Sequence, residues 1–127
     1  MANVFTPGGG YVVNLGTGQT GNVVTTNVAQ RRFDLTATRP AVIRIVTTVG
    51  ATPTCTYQVE GSADGTSFYP LASYDATGAV SPSGGTFTVT SATTTWRVVP
   101  VDIPWTYLRI TYSANTNVTN TADVWVY

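Results

Sequence analysis

Apolar and polar residues alternate with a period of two along most of this chain, and no stretch carries the 3.6-residue period of a helix. Phe33, Leu35 and Ala37 oppose Asp34, Thr36 and Thr38, and Ile43 and Ile45 oppose Val42, Arg44 and Val46. Cys55, Tyr57 and Val59 alternate with Thr54, Thr56, Gln58 and Glu60, Phe87 and Val89 with Thr86, Thr88 and Thr90, and Trp96 and Val98 with Arg97 and Val99. Near the end, Leu108 and Ile110 oppose Tyr107, Arg109 and Thr111, and Ala122, Val124 and Val126 oppose Asp123, Trp125 and Tyr127. With a short strand around Phe68–Leu71, the pattern predicts about eight strands separated by turn signals, the signature of an all-β antiparallel β-sandwich. The turns are Arg39-Pro40, Gly50 to Pro53, the tight Asp64-Gly65 pair and the loose Ser81 to Gly85 segment. Pro100 and Pro104 keep Val101-Asp102-Ile103 out of a central strand.

The first thirty residues read differently. Pro7-Gly8-Gly9-Gly10, Gly16-Thr17-Gly18 and Gly21-Asn22 interrupt them, leaving Tyr11–Leu15 and Val23–Val28 as the only runs able to pair. Phe5, Tyr11, Val12 and Val13 are too apolar for a plain linker. Residues 1–30 are therefore expected to form an extended arm that grips a neighbour, and residues 31–127 the sandwich domain; on that division, deleting the arm leaves a folded domain that no longer binds.

Composition changes the picture from fold to function class. Only 9% of the 127 residues are charged, against roughly a quarter in an ordinary soluble domain. The six basic residues are all Arg and balance six acids, so the net charge is zero. Near-zero net charge favours association, and a balanced chain offers no basic stripe for nucleic acid. A 43% apolar fraction excludes a disordered chain. No run approaches the roughly 20 apolar residues of a membrane span. Met1 to Pro7 lacks the charged and apolar regions of a secretory signal, and the single Cys55 cannot form an intrachain disulfide, so synthesis in a reducing cytoplasm is expected.

The chemistry-bearing residues are few. Without His or Lys there is no Ser-His-Asp relay, no Cys-His pair and no Schiff-base lysine, so no enzyme is expected. The acids Asp34, Glu60, Asp64, Asp75, Asp102 and Asp123 lie mostly at turns and strand edges. Asp64 and Asp75 flank a short strand and read as turn formers in preference to Ca²⁺ ligands. No cofactor or metal is expected. Asn117-Val118-Thr119 matches a glycosylation sequon, read as chance in a chain without a signal peptide. If Leu108, Ile110, Val124 and Val126 line the core, then Trp105, Tyr107, Arg109, Trp125 and Tyr127 point outward. Exposed Trp, Tyr and Arg are enriched at protein interfaces and also suit stacking of a sugar ring.

Two motifs carry a resemblance. Val59-Glu60-Gly61-Ser62-Ala63-Asp64-Gly65-Thr66-Ser67-Phe68-Tyr69-Pro70-Leu71 resembles a recurring sandwich hairpin, V-x-G-S-x-D-G-x-x-F/W-x-x-L. Trp105-Thr106-Tyr107-Leu108-Arg109-Ile110 resembles the R-Y-V-R-I strand of discoidin-like jelly rolls. Their pairing in a short lysine-poor chain that ends in an aromatic strand is similar to small virion proteins of tailed bacteriophages, capsid decoration (cement) proteins among them. The resemblance covers about residues 33–127. It departs from discoidin-like lectins, whose bridging disulfide a lone Cys55 cannot make. It implies a virion protein made in the host cytoplasm that binds the major capsid protein of its own particle as a homo-oligomer, a trimer on local threefold axes. The contact residues expected are Phe5, Tyr11, Arg31, Arg32, Trp105, Tyr107, Arg109, Trp125 and Tyr127. The alternatives are a carbohydrate-binding sandwich and a tail or neck subunit of a phage.

Overall fold

The computed structural model describes residues 3–5, 11–30, 40–75, 77–80, 85–100 and 105–126. The alternating pattern expected at Phe33–Ala37, the Val101–Ile103 segment and most of the Ser81–Gly85 loop lie outside these residues. Nine strands are present among those described: β1 (Asn3–Phe5), β2 (Tyr11–Thr20), β3 (Val23–Val24), β4 (Ala29–Gln30), β5 (Ala41–Ser62), β6 (Tyr69–Pro70), β7 (Thr86–Val89), β8 (Thr93–Val99) and β9 (Tyr107–Val126). Their pairings are all antiparallel and join them in one hydrogen-bonded network. The expected all-β antiparallel class is what the chain forms.

Two long strands organise everything else. β5 and β9 pair along their whole lengths, from Ala41↔Val126 to Ser62↔Tyr107, with register shifts between Val49 and Thr56. Neither is straight. Thr47 and Tyr57 are ten residues apart, about 33 Å along an extended strand, yet their hydroxyl oxygens lie 2.6 Å from each other. β5 therefore doubles back between them and carries β9 with it, folding the sheet into two facing layers. The bends use residues that tolerate left-handed or fixed backbone: Gly50 and Pro53 flank Thr52 (φ 44°), and Ala114 (φ 48°) and Asn117 (φ 54°) turn β9. Asn side chains tie the corner together. Asn117 Nδ2 donates to the Ala51 carbonyl (2.7 Å), and Asn115 Nδ2 donates to those of Gly21 and Val118 (3.0 Å each).

Alternation decides what the layers bury. Ala41, Ile43, Ile45, Cys55, Tyr57 and Val59 from β5 meet Leu108, Ile110, Tyr112, Val118, Ala122, Val124 and Val126 from β9. Tyr57 packs edge-on against Tyr112 (5.4 Å between centroids) and Phe87 (5.1 Å). Three buried polar side chains in this core, Thr47, Tyr57 and Asn120, are matched to one another. Asn120 Oδ1 accepts from Tyr57 (2.6 Å) and Thr47 (3.0 Å), linking the two layers. Burial pushes the Cys55 thiol pKa up, against the opposing hydrogen bond from Asn120, so it stays a neutral packing group. Arg97 also turns inward: Nη2 donates to the Ser73 carbonyl (2.6 Å), Nε to Ser73 Oγ (3.0 Å), and the guanidinium lies 4.8 Å from the Phe87 ring centre.

The boundary drawn at residue 30 does not divide the described structure. β2 runs beside the C-terminal half of β9, and β3 and β4 run beside its N-terminal half, at Tyr112–Thr111 and Leu108–Tyr107. Leu15 and Ala29 are fully buried and Val13 nearly so. From Tyr11 onward this segment is the third member of the central sheet. Its glycines had suggested an arm, but they accommodate register shifts between Asn14 and Gln19 that let β2 follow a bending partner.

Candidate functional site

The outer face of one layer carries a pair of tryptophans. There β2, β9, β5 and β8 lie side by side, and residues not facing the core form rungs across them. One rung is Asn14, Asp123, Arg44 and Trp96; the next is Val12, Trp125, Val42 and Val98. Trp96 and Trp125 come together over β5, with ring centroids 5.7 Å apart and planes tilted by 34°. The Arg44 guanidinium lies 5.0 Å from the Trp125 ring and 5.9 Å from the Trp96 ring. Asp123 holds it there: one carboxylate oxygen accepts from Arg44 Nη2 (2.9 Å), the other from Asn14 Nδ2 (3.0 Å).

This cluster is tied together by hydrogen bonds and is neutral overall. Each carboxylate oxygen has a fixed donor, and the cation rests between two rings that attract it through their quadrupoles. A cation–π contact of this exposure contributes about 0.5–1 kcal/mol, and a half-exposed ion pair no more than about 1 kcal/mol. Those gains are small beside the cost of presenting Trp96 to water at 44% exposure, with Val46 at 37% on the same face. The arrangement suits contact with another surface, because its one charge pair is already neutralised.

The expected contact residues do not form one patch. Trp105 is buried at 4% exposure, contrary to the outward position expected of it. It precedes β9, and the chain bends at Thr106, so strand alternation does not govern it. Tyr107 and Arg109 do lie on an outer face, but of the opposite layer from Trp125. β9 reverses between them, so one strand face becomes two opposite sides of the molecule. Arg109 pairs with Glu60 (2.8 Å), which also accepts from Thr111 (2.8 Å), and its guanidinium sits 3.8 Å from the Phe68 ring centre. Phe5 and Tyr11 pair through their backbones. Their side chains, and Arg31, Arg32 and Tyr127, lie outside the described residues. Arg44 and Trp96 were missing from the expected set. Arg44 stood on the polar side of its strand, but Trp96 was grouped with Val98 against Arg97 and Val99, and the structure buries Arg97 and Val99 and exposes Trp96. Only the register Arg44↔Trp96 and Arg44↔Asp123 makes the two neighbours.

The two loop acids are turn formers. Asp64 Oδ1 accepts from the backbone N–H of Thr66 (2.8 Å) and Ser67 (2.9 Å) and from Ser62 Oγ (2.9 Å), while Gly65 takes the positive φ of 81° that the turn requires. Asp75 likewise accepts from Thr77 and Ala79. Among the described residues no three His, Cys, Asp or Glu groups converge to hold a metal, and no helix is long and apolar enough to cross a membrane. The backbone N–H bonds from Ser67 and Thr66, then the Ser62 hydroxyl, hold the Asp64 pKa near 2, below its ordinary 3.8. The unfolded chain takes up that proton first. The contribution of this turn is therefore complete above about pH 4 and lost as pH falls toward 2. In thermal melts, Asp64→Asn is expected to flatten the fall in melting temperature over that interval; an unchanged slope refutes the assignment.

A shallow groove of about 470 Å³ lies at the bend, lined by Thr20, Gly21, Gly50, Asn115, Asn117, Val118 and Thr119. Its amides are engaged in the corner hydrogen bonds already described.

No protein-family model matches the sequence, and no curated protein matches it. Among solved structures, the chain is similar to the SPBc2 prophage-derived protein YomS, with a TM-score of 0.69 and 9% identity over 98% of both chains. At that identity the likeness speaks for the fold, and it spans the whole sandwich, residues 11–30 included.

Proposed function

We propose that this chain is a non-enzymatic structural protein of a phage particle, acting as a capsid decoration protein that binds the major capsid protein and stabilises the head. The observation that carries the reading is the outer face built on Arg44, Trp96, Asp123 and Trp125, an aromatic surface with its charges already paired. Trp and Arg are the residues most enriched at the energetic centres of interfaces. The end-to-end likeness to a prophage-derived protein supports the reading through shape alone. The mechanism is bridging: each copy covers apolar and hydroxyl surface on neighbouring capsomers, and many weak contacts on one shell act together through effective concentration.

Cosedimentation with heads prepared without the protein tests this. The double variant Trp96→Ala/Trp125→Ala is expected to bind about 100-fold more weakly, the loss typical of two central interface residues, while its melting temperature stays close to that of the parent. Full binding by that variant overturns the reading. Binding to tails in place of heads makes the chain a tail or neck subunit. One observation favours a second reading, a carbohydrate-binding module: the exposed Trp96 ring shares an outer face with the Trp125 ring and the polar Arg44–Asp123–Asn14 row. Glycan binding that is lost in Trp96→Ala, with no affinity for heads, selects it.

A further inference from the structure

Among the described residues, strand β8 is an edge of the sheet, and part of that edge is open. Its partner on one side is β5, in the register Thr93↔Thr47, Thr95↔Ile45, Arg97↔Ile43 and Val99↔Ala41. Backbone groups alternate sides along a strand, and Val98 shows which way the even-numbered ones point. Its N–H donates to the Tyr74 carbonyl and its carbonyl accepts from the Tyr74 N–H, both at 2.8 Å, on the side away from β5. Thr94 and Trp96 therefore direct their N–H and C=O groups to that same side. Among the described residues, no strand or bridge pairs with them. Thr93, Thr94 and Trp96 are exposed.

Open edges are normally blunted by a charge, a proline, a bulge or a very short strand. Other edges among the described residues show such devices: β6 is two residues long and contains Pro70, and β1 has three residues, whereas β8 has seven. Thr93-Thr94-Thr95-Trp96 has none. It is uncharged, free of Pro and Gly, and made wholly of residues that favour strands. The chain's zero net charge adds no general repulsion between copies.

We propose that this edge docks a second copy of the chain. Two β8 strands pair antiparallel about a twofold axis through Thr95, so that Thr94 of each copy lies opposite Trp96 of the other. Each such pair exchanges an N–H···O=C bond in both directions, satisfying the backbone groups left open on both edges. The side chains agree with this register. The two Trp96 rings fall on diagonal positions of the same outer face, within reach across strands. The result is one continuous sheet carrying both Arg44–Trp96–Trp125 clusters on one side. The contact is isologous and closes at two copies, in place of the trimer implied by resemblance. It does not rest on the decoration reading, because self-association and head binding are measured separately.

Two measurements on the full chain test it. Light scattering from micromolar to sub-millimolar concentration is expected to give twice the chain mass for the parent. For Thr94→Lys, the dimer–monomer midpoint is expected to move to about tenfold higher concentration or more, since the two lysines fall on diagonal positions of the same face, within reach of each other across strands, where like charges repel. Independently, Thr95 meets its own copy in a non-hydrogen-bonded pair with Cα atoms about 4.5 Å apart, within disulfide range. Thr95→Cys is therefore expected to form a disulfide-linked dimer under mild oxidation, whereas Thr93→Cys and the parent, with only the buried Cys55, do not. A single-chain mass throughout with no Thr95→Cys cross-link overturns the proposal. So does an oligomer that survives Thr94→Lys and fails to cross-link at Thr95. Should Thr94→Lys not fold, the Thr95→Cys result decides alone.

Discussion

Removal of residues 1–30 is expected to leave a chain that no longer folds, where an arm would come away without harm. The segment contributes β2, β3 and β4, the neighbours of β9 on the side away from β5. Without them β9 becomes a long bare edge, and Leu108, Ile110 and Val124 lose the cover of Val13, Leu15 and Ala29, which lie in the same core cluster. Burying a Val or Leu side chain contributes about 1.5–3 kcal/mol. Each of the ladder hydrogen bonds adds about 1 kcal/mol. Together these losses approach the about 5–15 kcal/mol that holds a domain of this kind folded. The check is a thermal melt followed by near-ultraviolet circular dichroism. No cooperative transition is expected; a melt within a few degrees of the full chain would return residues 11–30 to the status of an arm.

The second large effect is expected from Asn120→Ala, which should lower stability by about 3 kcal/mol and the melting temperature by roughly 10 °C. Asn120 is fully buried, and its Oδ1 is the shared acceptor for Tyr57 and Thr47. With it gone, the two hydroxyls have only each other at 2.6 Å, and one of their two protons is left without an acceptor. An unsatisfied buried donor costs about 1–3 kcal/mol, and the vacated side-chain volume adds a cavity term. The lesion also leaves the Thr47–Tyr57 hydroxyl pair alone to bridge the layers at this point. Denaturant unfolding measures it directly, and a change below about 1 kcal/mol would show that the core closes around the missing amide. Tyr57→Phe is a milder companion that keeps the ring and removes one proton from the same network. Burial raises the Tyr57 pKa to about 12, against the opposing Thr47 hydrogen bond, from its ordinary 10. The stability tied to its neutral form is thus present below pH 10 and declines as pH rises toward 12.

The open edge of β8 and the paired-charge aromatic face sit on the same layer, and Trp96 belongs to both. Trp96→Ala on its own is thus expected to weaken head binding through the face. Thr94→Lys acts on the edge and leaves the Arg44–Asp123 pair in place. Their separate effects distinguish docking of a copy from docking of a shell.

What the sequence determined by itself is local. Period-two alternation specifies a strand and which of its faces is apolar, and on that basis Leu108, Ile110, Val124 and Val126 were correctly assigned to the core. Asp64 and Gly65 specify their turn because the carboxylate and the positive φ act within a few residues. The scarcity of charge, too, is a property of composition alone. Tertiary structure decided everything that depends on register and on bending. Residues 50–53 look like a turn between two strands, and in the chain they are a bend within one, because β9 bends alongside and keeps the ladder paired. That shared bend sends Arg109 and Trp125 to opposite sides of the molecule although they share a strand face. It also draws residues 11–30 into the sheet, and it brings Arg44 from β5, Trp96 from β8 and Asp123 from β9 onto one rung. Alternation says whether a side chain points in or out. Which outward side chains become neighbours depends on hydrogen-bonded pairings between residues as far apart in sequence as Arg44 and Asp123, and on the way two long strands fold over a common core.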